Sequence, residues 1–300
     1  MSSYRTSRPT GRWIVVNKPQ TNFVGVLGWP LEHSLSPLIH NAAFRNLKLD
    51  WTYLAFAVEP SALPAAIAGL RALGAAGANV TMPHKEAVLP LLDEISGDAR
   101  HVGAVNTIQR FGDRLIGHNT DVDGLREFLS ADAGCNVSGR KGLVLGSGGA
   151  ARAAVKALSD LGAGEISVAA RNEERAGPLL ELSPGVHSTF VAWSDAASAA
   201  TNAHIVINAT PLGMNEEDPL PEAQWREGQE VVDLVYSPPM TPLLERARSG
   251  GATVWGGLGM LIRQAAASFQ IWTGQDPPLE AMSAAAVHAV ARSSERRRTS

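Results

Sequence analysis

Residues 141–151 run KGLVLGSGGAA, a short apolar stretch that passes directly into a glycine-rich turn. Lys141 to Leu145 reads as a strand, and Ala150 to Leu161 reads as a helix. The turn Gly146-Ser147-Gly148-Gly149-Ala150-Ala151 fits the spacing G-x-G-x-x-[G/A]. The first glycine permits a tight turn, the second lets the backbone approach a pyrophosphate, and a small third residue, Ala151, lets helix and strand pack closely. The helix N-terminus presents unpaired N–H groups to the phosphates. A lone glycine motif is weak, but this one sits inside a βαβ unit.

Outward from that turn, short apolar runs alternate with helical intervals. Downstream they are Ile166–Ala170, Thr189–Trp193, Ile205–Asn208, Val231–Val235 and Thr253–Trp255. Such alternation predicts a doubly wound parallel sheet. Upstream, Phe23–Gly28, Trp51–Val58 and Ala78–Thr81 read as strands, and Ala104–Phe111 with Arg114–Gly117 as a hairpin around Gly112-Asp113. Helices are expected at Ser36–Asn46, with Ser36 as N-cap and Pro37 in the first turn, and at Leu63–Leu73. After Gly259 the chain is helical again, over Met260–Trp272 and Leu279–Arg292. The fold class is α/β with two α/β domains, the last helices packing back on the first. The expected division is 21–121 plus 258–292 for one domain and 122–257 for the other, with glycines near Asp121–Gly124 and Gly256–Gly259 at the crossings.

Composition bounds the function. The 300 residues carry 26 Lys plus Arg against 29 acidic side chains, so no general basic face exists for nucleic acid or a membrane surface. Apolar residues form 45% and charged residues 18%, as in a folded globular chain. One cysteine, Cys135, excludes an intrachain disulfide and a cysteine metal cage. No uninterrupted apolar run approaches a membrane span. A soluble, cytoplasmic protein is expected. Residues 1–20 are Arg- and Ser-rich and acid-free, which reads as a flexible extension rather than a transit peptide; residues 293–300 read as a flexible tail.

The end of the second strand after the glycine turn reads the 2′ position of a dinucleotide. It supplies Ala170-Arg171-Asn172, with Arg175 one turn on and no acid before Glu173. A planar guanidinium suits a 2′-phosphate, so the expected cofactor is NADP.

Three polar clusters lie in the first unit. Ser34 and Ser36 flank Leu35 before a helix and form a pocket of carboxylate size. Asn79, Thr81, His84 and Lys85 crowd the carboxyl edge of a strand, where open α/β sheets bind ligands. Asn106-Thr107 and His118-Asn119-Thr120-Asp121 form the third.

With these segments the chain closely resembles the shikimate/quinate dehydrogenase family. The resemblance rests on GVLGWPLEHSLSPLIHN, NVTMPHK, GAVNT, GHNTDVDG, GSGGAARA, NATPLGM, DLVYSPPMTPLL and GGLGMLIRQAAASFQIWTG, in the family's order from about Phe23 to Arg292. It implies an N-terminal substrate domain, a Rossmann-like NADP domain, and the reversible NADP-linked reduction of 3-dehydroshikimate to shikimate in aromatic amino acid biosynthesis. It further implies that Ser34 and Ser36 hold the substrate carboxylate, and that Thr81, Asn106 and Gln264, with Tyr236 nearby, meet ring hydroxyls. Lys85 and Asp121 become the catalytic pair. Gly146, Ser147, Gly148, Gly149 and Ala150 form the phosphate loop, Arg171 and Arg175 face the 2′-phosphate, and Asn208, Thr210, Met214, Gly257 and Met260 border the nicotinamide. The family's Asn-Arg-Thr is here Ala170-Arg171-Asn172.

The alcohol chemistry needs a proton acceptor within reach of the oxidised hydroxyl. The residues alone leave open whether Lys85 is the base or mainly orients the hydroxyl. Competing readings are a quinate or dual-specificity dehydrogenase and a non-catalytic sensor. Ser34-Leu35-Ser36 resembles the shikimate form, and a sensor has no need of both Lys85 and Asp121. A monomer or homodimer is expected.

Overall fold

The glycine-rich turn lies where the strand order of a parallel sheet reverses. The computed structural model describes residues 21–31 and 34–299, with side chains as far as Arg292. The expected extension over residues 1–20 lies outside the described residues, as do Glu32 and His33.

Two six-stranded sheets organise the chain. The first contains β1 (Asn22–Gly28), β2 (Trp51–Ala57), β3 (Gly77–Val80), β4 (Glu94–Ile95), β5 (Thr107–Phe111) and β6 (Arg114–His118), in the order β2-β1-β3-β5-β6-β4. β5 runs antiparallel to both neighbours because the Gly112-Asp113 turn folds it onto β6. The second contains β7 (Lys141–Leu145), β8 (Glu165–Ala170), β9 (His187–Ala192), β10 (Ile205–Asn208), β11 (Glu230–Asp233) and β12 (Thr253–Gly256). Its order is β12-β11-β10-β7-β8-β9, all parallel. This is the doubly wound dinucleotide order with its switch point at β7.

Helices α1 (Ser36–Asn46), α2 (Leu63–Ala72) and α3 (Gly97–Val102) belong to the first sheet, and α4 (Thr120–Glu127) leads out of it. α5 (Gly149–Asp160), α6 (Glu173–Leu180), α7 (Ala196–Asn202) and α8 (Pro242–Ser249) cover the second. The chain then returns through α9 (Leu258–Thr273) and α10 (Leu279–Thr299). Phe269, Trp272, Met282 and Ala286 are buried with Val24, Ile39, Phe44 and Tyr53 of the first unit.

Two readings need correction. The last helix does not end at Arg292; its backbone continues to Thr299, so the segment read as a tail is largely helical. Ser36 is not the N-cap of α1. Leu35 occupies that position in a helical conformation, without a side-chain cap bond, and this moves Ser36 into the first turn. At the crossings, glycine serves close packing: a Cβ on Gly124 would stand 2.7 Å from the backbone nitrogen of Gln264, which lets α4 lie directly on α9.

Candidate active site

The carboxyl edge of the first sheet carries a buried polar network. Lys85 Nζ donates to Asp121 Oδ2 at 2.6 Å, with side-chain exposures of 18% and 6%. The other carboxylate oxygen, Oδ1, accepts from Asn106 Nδ2 at 2.8 Å. Asn106 Nδ2 also donates to Thr120 Oγ1 at 2.9 Å and reaches Gln264 Oε1 at 3.5 Å. The Asn106 side-chain oxygen Oδ1 accepts from the Thr120 backbone N–H at 2.7 Å. Asp121 is placed by a capped helix start: Asn119 Oδ1 accepts from the N–H groups of Asp121 and Val122, while Asn119 Nδ2 donates to the Ala104 carbonyl. Lys85, Asn106, Asp121 and Gln264, far apart in sequence, are therefore neighbours.

Thr107, Thr120 and Ser268 form a hydroxyl cluster beneath this group, with oxygens 2.8–3.2 Å apart. Asn79 Nδ2 donates into it at 3.0 Å to both Thr107 Oγ1 and Ser268 Oγ. Asn79 is thus internal scaffolding and does not face a ligand. Neither does His84, whose Nε2 bonds the Val58 carbonyl at 2.7 Å in a buried setting. Ser34 is half-buried and Ser36 is buried. Burial pushes the Tyr236 phenol above its ordinary value. Tyr236, which follows β11 of the second unit, packs against the core that includes Leu35 of the serine loop.

The glycine turn closes the site from the other side. Gly146 has φ +109°, a conformation that side chains other than glycine resist, and its N–H donates to the Ala169 carbonyl at 2.8 Å. A Cβ on Gly148 would meet nothing within 4 Å, so the backbone there faces open space of the kind a pyrophosphate needs. A Cβ on Gly149 would instead stand 3.0 Å from Lys85 Cδ. Arg152, three residues into α5, donates to the Val102 carbonyl at 3.1 Å and lies 3.7 Å from Glu86.

Comparison with known proteins agrees with this arrangement. Residues 26–108 match the shikimate dehydrogenase substrate binding domain, 129–217 the shikimate/quinate 5-dehydrogenase model, and 257–287 the shikimate 5'-dehydrogenase C-terminal domain. The chain is 45% identical over 267 residues to the shikimate dehydrogenase (NADP(+)) of Geobacter metallireducens, covering 86% of this chain and 93% of that one. The chain belongs to the shikimate dehydrogenase family. A family structure from Thermus thermophilus, in complex with NADP(H) and shikimate, superposes with a TM-score of 0.79 at 38% identity, covering 89% of this chain and 99% of that one. The 5-ketofructose reductase of Gluconobacter sp. strain CHM43 has the same fold, with a TM-score of 0.78 at 30% identity, covering 90% of this chain and 99% of that one.

Within this shikimate dehydrogenase-family chain, the groups expected near the dinucleotide fall into two kinds. Arg171 and Arg175 are exposed, and among the described residues no ion pair or hydrogen bond engages either guanidinium, so Glu173 and Glu174 do not neutralise them. Asn172 caps α6 by accepting from the Arg175 N–H at 3.0 Å. Asn208 is fully buried and builds its own loop: Nδ2 donates to the Leu212 carbonyl and Asp233 Oδ1, while Oδ1 accepts from Thr210. Thr210 Oγ1 in turn accepts from the Leu212 N–H at 3.2 Å. Their side chains shape the loop, leaving its backbone and the 38%-exposed Met214 to border the cleft. Met260 is buried in the second unit's core, and Gly257 packs against the Leu234 carbonyl. Thr81, next to the Lys85 loop, is half-buried at the Gly28 backbone.

Sequence reasoning missed three members of the network: Tyr53, Ser268 and the capping role of Asn119. The signal for Ser268 was present. It lies one turn beyond Gln264, a second polar residue on an otherwise apolar helix stripe.

Proposed function

We propose that this chain catalyses the NADP-dependent, reversible reduction of 3-dehydroshikimate to shikimate, as the cytoplasmic enzyme of aromatic amino acid biosynthesis. One observation carries the reading. The Lys85–Asp121 pair, joined at 2.6 Å, lies with its lysine stem directly against Gly149 of the dinucleotide turn. A group that manages a hydroxyl proton thus sits beside the place that accepts a dinucleotide, as alcohol oxidation with hydride transfer requires.

The residues fit NADP. Gly148 leaves open space, α5 begins at the turn with free N–H groups, and Arg171 and Arg175 offer unpaired guanidinium groups to a 2′-phosphate. When bound, the nicotinamide supplies or accepts the hydride. Ser34 and Ser36 bind the substrate carboxylate, with Tyr236 at their loop. Thr81, Asn106 and Gln264 bind ring hydroxyls. Lys85 donates to the carbonyl oxygen as it gains negative charge, and Asp121, fixed by Asn106, aims that ammonium. In the reverse direction the same pair receives the hydroxyl proton. Residues 21–121 with 258–292 then form the substrate domain and 122–257 the NADP domain.

An absorbance assay at the reduced nicotinamide band, run with shikimate, quinate and 5-ketofructose separately and with NADP and NAD, tests the proposal. Turnover of shikimate with NADP well above the other pairs is expected. A clear preference for quinate or 5-ketofructose overturns the substrate assignment.

A further inference from the structure

The buried phenol of Tyr53 enters the polar network through Asn79. It lies on β2, 2% exposed, opposite Val24 of β1, and its hydroxyl donates to Asn79 Oδ1 at 2.7 Å. The orientation of that amide is fixed, because Asn79 Nδ2 donates to the Asn106 carbonyl at 3.1 Å and to the Thr107 and Ser268 hydroxyls. Tyr53's single proton is therefore committed to Asn79. The His40 ring stacks on Tyr53 at 4.5 Å with an interplanar angle of 3°, which holds the phenol in plane. From Asn79 the chain of bonds continues through Asn106 and its Thr107, Thr120 and Ser268 neighbours to Asp121 Oδ1, and so to Lys85.

We propose that Tyr53 is a positioning residue: its hydroxyl locks Asn79, and through it Asn106 and Asp121. This rests on the functional reading above. Removing the hydroxyl leaves the buried Asn79 Oδ1 without its donor and loosens the catalytic end, which lowers kcat without weakening substrate binding.

Tyr53→Phe keeps the ring and its stack and removes only the hydroxyl. For Y53F we expect kcat to fall about tenfold with KM for shikimate unchanged. The primary isotope effect on kcat with deuterated cofactor should rise as hydride transfer becomes limiting. Ser268→Ala, which breaks the same chain beyond Asn79, should lower kcat and leave KM unchanged. It also serves if Y53F does not fold. A loss of melting temperature with kcat and KM within twofold of wild type, or a rise in KM alone, overturns the proposal. Should wild type fail to turn over shikimate, the functional reading falls. The positioning role is then judged from the Y53F crystal structure: a displaced Asn79 with a lost Asn106–Asp121 bond supports it, and an unchanged network overturns it.

Discussion

Gly149 and Lys85 meet across the cleft: a Cβ built on Gly149 would stand 3.0 Å from Lys85 Cδ and 3.3 Å from its Cβ. Gly149→Ala should push the lysine stem by a few tenths of an ångström and lower kcat about tenfold, because small misplacements of a reacting group are costly. Gly148→Ala has open space and should raise KM for NADP with little change in kcat. Steady-state kinetics with each ligand varied separates the two; a G149A enzyme with wild-type kcat would show that the contact does not set the lysine's position.

Lys85→Ala should cut kcat by about 10²–10³-fold or more while leaving shikimate affinity within roughly tenfold, since it removes an interaction used mainly in the transition state. Asp121→Asn should also lower kcat heavily. The double variant should be little worse than Lys85→Ala, as groups acting as a unit are not additive. Single-turnover rates and ligand fluorescence titrations measure both quantities.

Ser34→Ala should raise KM for shikimate by about 10- to 100-fold through a lost charge-assisted hydrogen bond. Ser36→Ala should act in the same direction. With Leu35 at the N-cap, Ser36→Ala should carry no capping loss. A wild-type KM in both variants would contradict the carboxylate assignment.

Arg171→Ala should raise KM for NADP about 10- to 100-fold and leave the use of NAD nearly unchanged, since only the phosphate needs the cation. Arg175→Ala should follow with a smaller effect. Ratios of kcat/KM for the two cofactors provide the measurement. A wild-type preference for NAD counts against the assignment.

Two buried groups give stability a pH dependence of opposite sign. Burial drives His40 down to about 3, so its contribution is complete above about pH 6.5 and is lost as pH falls toward 3, the unfolded chain taking a proton that the folded one refuses. Burial drives Asp233 up to about 6, so its contribution is present below about pH 3.8 and is lost as pH rises through 6. His40→Phe should flatten the acid side, changing the slope by about 1.4 kcal/mol per pH unit between pH 6 and 4. Urea unfolding of both proteins at closely spaced pH values reads the slope; parallel curves would exclude His40 as the source.

Much of this architecture was legible because its determinants are local. The strand at Lys141–Leu145 and the glycine spacing after it specify a turn and a helix without reference to anything distant. Lys85, Asn106, Asp121 and Gln264 were recoverable because each sits in a short distinctive motif, although only the fold brings them together. Tyr53 was not legible. An aromatic residue at an inward strand position ordinarily reads as core, and its polar role arises only because β1 lies between β2 and β3 and brings Asn79 within reach. Ser36 misled for a related reason: Ser before Pro suggests a cap, but the backbone of Leu35 had already turned helical.

The return of α9 and α10 to the first sheet has a consequence for biosynthesis. The ribosome completes that sheet at His118, yet the helices that bury Val24, Ile39 and Tyr53 begin only at Leu258. At about 5–20 residues per second, the intervening chain takes roughly seven to thirty seconds to emerge. Throughout that interval one apolar face of the sheet has α1 on it but lacks α9 and α10, while the dinucleotide unit is continuous in sequence. The unit proposed to bind substrate is thus the last to be sealed, and a nascent chain stalled before Leu258 would leave part of its apolar face exposed.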